Sequence, residues 1–343
     1  MARMTSEPTI VFEASEFFGL YDENVDSDYV FRVMSYLLKK THRFGLDQMT
    51  YRDPASPSYV QHFMESLKHT DIDGLKTYML GMRGQDLQGS VEAGLARALD
   101  VFREGKFTPP TVFITAGFLG TDACVVPGGF GINLVNLFHE TRGDMALSMK
   151  HLESKSAHES IHTFLAQHIV PKEVNQLHPL RDARGCIYGE GLATFVERPD
   201  CLNYGTFMPH ADEWEEVAWK VVSSKKSAKG PGMEYLRILQ DLYAQPVLKG
   251  YDRGERILGA SINRFAVGEG ASEGEFQSAV NSVFVEANGP AYYVGCNKWE
   301  TIAEEFGIEG VRDVVATRDM QTLFDKYAEI KAMRGELQPY HIW

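Results

Sequence analysis

The spacing of apolar residues predicts that most of this chain is helical. In a series of segments the apolar residues recur every three or four positions, the interval that places them on one face of a helix. Ser90 is the predicted N-cap of the fourth of these helices, and Gly105 is its predicted end. We expect the helices near residues 26–40, 56–67, 72–82, 90–105, 147–169, 190–197, 212–222, 233–243, 253–265, 273–285, 291–306 and 322–333.

A block of strand-forming residues interrupts the helical pattern after Lys106. Thr111–Thr115 is a run of β-branched and aromatic residues, which predicts a buried strand. Cys124–Val126 and Ile132–Val135 predict two more strands, and the glycine-rich stretch 127–131 between them predicts a hairpin turn. A phosphate-binding loop is the alternative for that stretch, although the sequence lacks a G-x-x-x-x-G-K-[ST] motif.

These patterns together predict a mostly helical α+β fold with a small sheet. Residues 9–12 predict one further short strand. The change of pattern at residue 106 predicts an N-terminal helical region at 1–105 and a second domain at 106–343, with one continuous domain as the alternative. Residues 223–232 are rich in serine, lysine and glycine, which predicts a solvated linker, with a basic anion-binding patch as the alternative.

Charge and composition exclude some partners. The chain of 343 residues has a formal net charge of −13, which argues against nucleic acid and against anionic lipid surfaces. Its four cysteines include no C-x-x-C pair, so they match neither a disulfide framework nor a zinc finger. The N-terminal residues do not resemble a secretion signal, and no apolar run is long enough to cross a bilayer. We therefore expect a cytoplasmic enzyme without a membrane partner.

The sequence H-E-S-I-H at residues 158–162 carries the chemistry that most restricts the function. It lies within a predicted helix, where residues four apart share one face, so His158 and His162 would stand side by side. Two imidazoles in this arrangement can bind one Zn²⁺ ion, and Glu159 can reach a water molecule on that ion. The alternative for the pair is a buried polar face that binds no metal.

A hydrolytic zinc site takes three protein ligands and leaves a fourth position for water, so a third ligand is needed. Glu190 is the first candidate, on a predicted helix that could pack against the histidine-bearing helix. Gly189 and Gly191 flank it and would let the two helices approach closely. Asp182 and Glu197 are weaker candidates for the same position.

His168 is the other main candidate for the third ligand, at the spacing of the motif H-E-x-x-H-x-x-G-x-x-H. Leu165 occupies the glycine position of that motif, and a continuous helix points His168 about 120° away from His162. His151 lies seven residues before the first histidine and therefore on nearly the same helix face. For His151 we expect a supporting or surface role and not ligation.

The two motifs, H-E-S-I-H at 158–162 and E-G-L-A-T-F from Glu190, together resemble the gluzincins. These are zinc peptidases whose third ligand is a glutamate on the next helix, and the closest resemblance is to predicted zinc-dependent proteases with an HExxH…EGLA pair. A glycine-rich hairpin before the motif and a Y-x-x-G element at 292–295 extend the similarity over residues 110–310. The resemblance implies a zincin-like core whose small antiparallel sheet packs on the HExxH helix, with one zinc ion held by His158, His162 and Glu190.

One position departs from this resemblance. Thermolysin-like sites place an aspartate four residues after the glutamate ligand, where it orients a zinc-bound histidine, whereas Thr194 offers only a hydroxyl here. The resemblance further implies that Tyr292 or Tyr293 donates a hydrogen bond to the oxyanion that forms during hydrolysis. Tyr188 is a rival donor, and a packing role is the alternative for each of these tyrosines.

The expected function is zinc-dependent hydrolysis of an amide or peptide bond, with Glu159 as the general base for a metal-activated water. A peptide substrate, and hence a metallopeptidase, is the leading interpretation. A small-molecule amide or lactam in a specialised pathway is the second hypothesis, and a non-catalytic binding protein on a metallopeptidase fold is the third. A binding protein has no use for a general base, so Glu159 argues against the third. Iron, manganese or cobalt could replace zinc in a His₂Glu site.

Overall fold

The computed structural model describes residues 2–14, 17, 71–116, 123–168, 179–197 and 290–336. This part of the chain is mostly helical with small sheets, which agrees with the predicted α+β class. Contacts within the chain divide it into two compact units, Met1–Asp100 with Glu104–Gln167 and Val101–Arg103 with His168–Trp343. Outside the described residues lie the helices predicted near 26–40, 56–67, 212–222, 233–243, 253–265 and 273–285, and the linker predicted at 223–232.

The first unit contains six strands and four helices within the described residues. The strands are β1 (Arg3–Met4), β2 (Thr9–Glu13), β3 (Lys106–Phe107), β4 (Thr111–Thr115), β5 (Ala123–Val126) and β6 (Gly129–Asn133). The helices are α1 (Ile72–Arg83), α2 (Leu87–Leu99), α3 (Leu134–Thr141) and α4 (Met145–His168), whose last residue falls in the second unit. These elements confirm the strands predicted at 9–12 and 111–115 and the helices predicted near 72–82 and 147–169.

The larger sheet of this unit is mixed, with the strand order β2-β4-β6-β5. Strands β2, β4 and β6 run parallel, and β5 runs antiparallel to its neighbour β6. The predicted small antiparallel sheet is therefore wrong, apart from the hairpin of β5 and β6. Parallel strands need a long crossover connection, and the chain between β2 and β4 provides one that includes α1 and α2.

Strand pairing joins residues on both sides of position 105, where the sequence predicted a domain boundary. β1 pairs with β3 in a second, two-stranded sheet, and β2 pairs with β4 from Thr9 opposite Thr111 to Glu13 opposite Thr115. The first strands of the chain thus belong to sheets that later residues complete. One continuous domain is compatible with this pairing, and the predicted division at residue 105 stays a prediction.

The hairpin turn predicted from the glycine-rich stretch is confirmed at Pro127 and Gly128. Gly128 has a φ of +78°, a left-handed conformation that glycine adopts without strain. The second strand of the hairpin ends earlier than predicted, since Leu134 and Val135 belong to α3. Asn133 explains the difference, because its side-chain oxygen accepts a hydrogen bond from the Val135 N–H at 3.0 Å and caps the helix.

Helix α2 begins and ends earlier than the sequence predicted. Its N-cap is Asp86, whose carboxylate accepts a hydrogen bond from the Gly89 N–H at 2.9 Å, so the predicted cap Ser90 lies inside the helix. The helix ends at Leu99, before Gly105. Aspartate and serine are equally good N-caps. The choice between them depends on where the apolar face begins, and Leu87 places that start one turn earlier.

Helix α4 is buried along most of its length, and it carries the H-E-S-I-H motif. Near its C-terminal end, the Gln167 side chain accepts a hydrogen bond from the Thr108 N–H at 2.8 Å and donates one to the Thr108 carbonyl at 3.1 Å. These two bonds tie the helix to the chain between β3 and β4. Its fully buried apolar side chains are Leu152, Ala157, Ile161 and Phe164.

Gly94 brings α2 against the middle of α4. A Cβ atom at this position would overlap the backbone oxygen of Glu153 and lie 2.8 Å from the Cβ of Ser156. We expect Gly94→Ala to lower the free energy of unfolding by about 1–3 kcal/mol, because the two helices must separate. Urea unfolding measures the change. Gly84→Ala is the control, because a Cβ atom at Gly84 would come no closer than 3.4 Å to its nearest neighbour, the Gly81 carbonyl oxygen. An unchanged midpoint for Gly94→Ala would contradict this packing.

The second unit contains three helices within the described residues, α5 (Pro179–Glu197), α6 (Pro290–Thr317) and α7 (Gln321–Met333). They confirm the helices predicted near 291–306 and 322–333. Helix α6 continues past a bend at Gly307, and it packs against both α5 and α7. None of the helices in the described part of the chain combines the length and the apolar character needed to cross a membrane.

Helix α5 is longer than the helix predicted at 190–197, because it begins at Pro179. Proline fits the first turn of a helix, where the N–H that it lacks would have no helical partner. Packing against α6 stabilises this segment. The prediction began this helix at Glu190, and Gly185, Gly189 and Gly191 lower the helix propensity of the segment around that position.

Candidate metal centre

His158 and His162 stand one turn apart on α4, as their spacing predicted. Their Nε2 atoms lie 3.3 Å apart, and the planes of the two rings meet at 66°. Nitrogen ligands bind zinc at about 2.0–2.1 Å in a tetrahedral arrangement, which places two such ligands about 3.3 Å apart. The two imidazoles therefore have the separation that a shared metal ion requires.

Glu190 completes a group of three potential ligands, and all three were predicted from the sequence. One ligand atom from each of His158, His162 and Glu190 lies within 4.8 Å of the other two, so the group could hold a metal ion. Glu190 is half-buried on α5.

The group found among the described residues does not include the rival candidates for the third ligand. His168 is buried at the end of α4, where its ring packs edge-on against Phe102 with the ring centroids 5.3 Å apart. Glu197 lies on α5 seven residues beyond Glu190, which is about 10 Å further along the helix. The side chain of Asp182 lies outside the described part of the structure. The arrangement therefore agrees with the predicted preference for Glu190.

Glu159, the predicted general base, is 7% exposed. It follows His158 by about 100° around α4, and its backbone carbonyl accepts a hydrogen bond from Thr163 Oγ1 at 3.1 Å. A carboxylate with so little exposure contacts few other water molecules, which suits a general base that must accept a proton from one particular water molecule. Its role as a base stays a prediction.

Gly191 makes a close approach to α6, whereas the sequence predicted one to the histidine-bearing helix. A Cβ atom on Gly191 would overlap the backbone of Gly295, and a Cβ atom on Gly295 would overlap the carbonyl oxygen of Ile187. Two glycines thus face each other where α5 and α6 cross. The glycine of the E-G-L-A motif and the glycine of the Y-x-x-G element are partners, and their spacing in the sequence does not reveal this.

Tyr188 and Trp299 form a second contact between α5 and α6. Trp299 Nε1 donates a hydrogen bond to the Tyr188 carbonyl at 3.1 Å, and the two rings pack edge-on with their centroids 5.1 Å apart. Both side chains are buried, and burial raises the pKa of the Tyr188 phenol well above its usual range. This packing favours the alternative role of Tyr188 over hydrogen-bond donation. Trp299 follows Gly295 of the Y-x-x-G element by one helical turn. This spacing is the one signal in the sequence that could have indicated the role of Trp299.

The two tyrosines predicted as oxyanion donors lie in the first turn of α6. Tyr292 is half-buried, and the side chain of Tyr293 lies outside the described part of the structure. Thr194, which occupies the position of the thermolysin-like aspartate, is buried one turn after Glu190 on α5. The roles of Tyr292 and Tyr293 in catalysis, and of Thr194 beside the metal ligands, stay predictions.

A cluster of polar side chains lies around the N-terminal half of α4. His151 Nδ1 lies 3.3 Å from Glu140 Oε2 on α3, and Thr141 Oγ1 lies 2.8 Å from Ser148 Oγ. His151 is 5% exposed, so of its two predicted roles the surface role is wrong and the supporting role stays a prediction. The apolar spacing predicted the buried helix, but it gave no indication that α3 supplies the partner of His151.

Tyr78 on α1 is expected to make stability depend on alkaline pH. Burial raises the pKa of Tyr78 from 10.0 to about 12, although the hydroxyls of Ser148 and Thr141 lower it. The folded protein thus keeps the phenol protonated to a higher pH than the unfolded chain does. This contribution to stability is complete below about pH 10 and is lost as the pH rises towards about 12, by roughly 1.4 kcal/mol per pH unit.

Urea unfolding at about pH 9 and about pH 11 tests this dependence in the wild type and in Tyr78→Phe. We expect a smaller loss of stability between the two pH values in the variant, because it has no phenol to ionise at this position. The other tyrosines contribute equally to both proteins and cancel in the comparison. An equal loss in both proteins would contradict the assignment to Tyr78.

Comparison of the chain with models of protein families, with curated proteins and with solved structures finds no match. The interpretation of the site therefore rests on two observations. One is the placement of His158, His162 and Glu190 as a group that could hold a metal ion. The other is the resemblance of the two motifs that supply these residues.

Proposed function

We propose that this protein is a zinc-dependent hydrolase of amide or peptide bonds, of the gluzincin type. The observation that carries the proposal is the group of His158, His162 and Glu190, whose ligand atoms lie within 4.8 Å of one another. Glu159 follows the first of these ligands directly, where an H-E-x-x-H site has its general base. A zincin-like core is part of the same proposal, and the mixed sheet and the motif-bearing helix of the first unit support it.

The donor set suits a catalytic zinc ion. Two imidazole nitrogens and one carboxylate oxygen are three protein ligands, which leave a position open for water or substrate. When bound, zinc supplies Lewis-acid chemistry that makes water nucleophilic at neutral pH and polarises a carbonyl group. Iron, manganese and cobalt accept the same donors, so metal analysis decides among them.

Glu159 acts twice in the proposed reaction. Its carboxylate accepts a proton from the attacking water, and the resulting carboxylic acid donates that proton to the leaving amine. Tyr292 or Tyr293 is the proposed donor to the oxyanion that develops on the attacked carbonyl. A donor of this kind is worth about 3–4 kcal/mol of transition-state stabilisation in comparable sites.

We propose a peptide or a small amide as the substrate. Glu159, once protonated, can donate its proton to a leaving group, and an amine needs such a proton in order to leave. The formal net charge of −13 supports a function without nucleic acid or anionic membrane partners. A cytoplasmic location is part of the proposal. In the described residues Cys124 and Cys296 are not disulfide-bonded, which agrees with a reducing compartment.

Metal content and hydrolysis together test the proposal. We expect protein dialysed against zinc, and then freed of excess, to retain about one equivalent per chain. A fluorescence-quenched peptide library and a panel of small amides and lactams serve as substrates. Hydrolysis should stop when a chelator removes the metal and return when zinc is restored. Retention of less than about a tenth of an equivalent of metal, or hydrolysis that persists without metal, would contradict the proposal.

A further inference from the structure

Two contacts hold α5 against α6 on either side of Glu190. Two residues before Glu190, the Tyr188 carbonyl accepts the hydrogen bond from Trp299 Nε1 at 3.1 Å. One residue after it, Gly191 packs directly against the backbone of Gly295. We call the four residues that make these contacts, Tyr188, Gly191, Gly295 and Trp299, the α5–α6 brace.

The glycine contact of the brace leaves little room for the two helices to move. A Cβ atom on Gly295 would lie 2.6 Å from the Cα of Gly191, so the backbones already touch. Leu192 and Cys296, the next residue on each helix, are completely buried, and moving the helices apart would open a void beside them. Close-packed interiors resist both displacements, so the glycine contact fixes the distance between α5 and α6 at Glu190.

The indole contact of the brace fixes how α5 is turned and where it lies along α6. Trp299 is completely buried, and its N–H donates to a carbonyl inside α5. The carbonyl oxygen of a helical residue has a second lone pair. It can therefore accept the indole N–H and keep its hydrogen bond within the helix. A buried indole N–H that loses its acceptor is costly, and rotation or sliding of α5 would cause that loss.

We propose that the α5–α6 brace sets the position from which the Glu190 carboxylate binds the metal, which makes Trp299 and Gly295 positioning residues. A side chain on a helix moves with its backbone, and metal–ligand bonds tolerate deviations of only about 0.2 Å. A small displacement of α5 therefore weakens the bond from Glu190 without removing the ligand. The inference rests on the proposed function, because it takes Glu190 as a metal ligand.

Two substitutions disturb the brace in different ways. Trp299→Phe removes the hydrogen-bond donor and keeps an aromatic ring in the core, and Gly295→Ala adds a methyl group that forces α5 and α6 apart. We expect each variant to bind zinc about 10–100-fold more weakly than the wild type, the range found when groups that support metal ligands are lost. Competition with a chromophoric chelator measures the affinity. The visible spectrum of the cobalt-loaded protein reports whether the ligand geometry has changed.

Ile330→Ala is the matched control for a general loss of packing, because Ile330 is completely buried on α7 and outside the brace. It should lower the urea midpoint of the metal-free protein and leave the zinc affinity within about twofold of the wild type. If it weakens zinc binding as much as the brace variants do, destabilisation explains their effect and the inference is overturned.

The remaining outcomes separate this inference from the proposed function. Wild-type zinc affinity and an unchanged cobalt spectrum in Trp299→Phe overturn the inference alone, whether or not Gly295→Ala folds. Weaker zinc binding in Trp299→Phe with an altered cobalt spectrum, at a stability no lower than that of Ile330→Ala, supports it. A wild-type protein that binds no zinc overturns the proposed function and the inference together.

Discussion

Glu159→Gln is expected to abolish turnover while the protein keeps its metal. The amide has nearly the shape of the carboxylate but cannot accept the proton of the attacking water or pass it to the leaving amine. General base catalysis contributes about 10²–10⁴-fold to such reactions, so kcat should fall by at least that lower factor. Metal analysis and hydrolysis of the most sensitive peptide or amide probe, on the same preparation, measure both quantities.

Glu153→Gln is the matched control for this substitution. Glu153 lies six residues earlier on α4, and its partly exposed carboxylate pairs with Arg97. The same change of charge on the same helix should leave turnover close to the wild-type value. Activity above about a tenth of the wild type in metal-loaded Glu159→Gln would show that another group is the base.

Glu190→Ala is expected to lose zinc under conditions in which the wild type retains it. Structural zinc sites bind with about 10–16 kcal/mol shared among four ligands, so one ligand is worth roughly 3–4 kcal/mol, or about 10²–10³-fold in affinity. His158→Ala should show a loss of similar size. Equilibrium dialysis against zinc buffers measures these affinities, and unfolding of the metal-free proteins shows whether each variant is folded.

Two further variants show whether the ligands are assigned correctly. Glu197 lies on the same helix as Glu190, two turns further on. The Glu197→Ala variant should bind zinc as the wild type does. His168→Ala removes the rival third ligand, whose ring packs against Phe102, and should also retain zinc. Loss of zinc in His168→Ala together with retention in Glu190→Ala would contradict the assignment of Glu190.

Elements defined by local pattern were predicted well. The helix near 147–169 and the strand at 111–115 each follow from the periodicity of a single short segment, and the structure confirms both. Choices between locally equivalent signals were less secure. Asp86 caps α2 in place of Ser90, and Asn133 starts α3 where the sequence predicted strand residues, because capping side chains compete with the flanking apolar pattern.

Strand direction could not be predicted in the same way. The hairpin of β5 and β6 is antiparallel because its turn is local, and the glycine-rich stretch predicted it. The parallel pairs β2–β4 and β4–β6 depend on how the connecting chain crosses the sheet. The connection between two strands sets their relative direction, and the antiparallel sheet that the resemblance implied does not hold for β2, β4 and β6.

The sequence by itself determined that His158 and His162 share one face of a helix, because residues four apart in a helix point the same way. It favoured Glu190 as the third ligand, first from its place on a predicted second helix with flanking glycines and then through a resemblance of motifs. Glu190 lies 28 residues beyond His162, and no local rule sets the distance between them. Only the tertiary structure decided that its carboxylate lies within reach of both imidazoles. That position depends on how α5 is held, and a bond between residues 111 positions apart, Trp299 and Tyr188, helps to hold it.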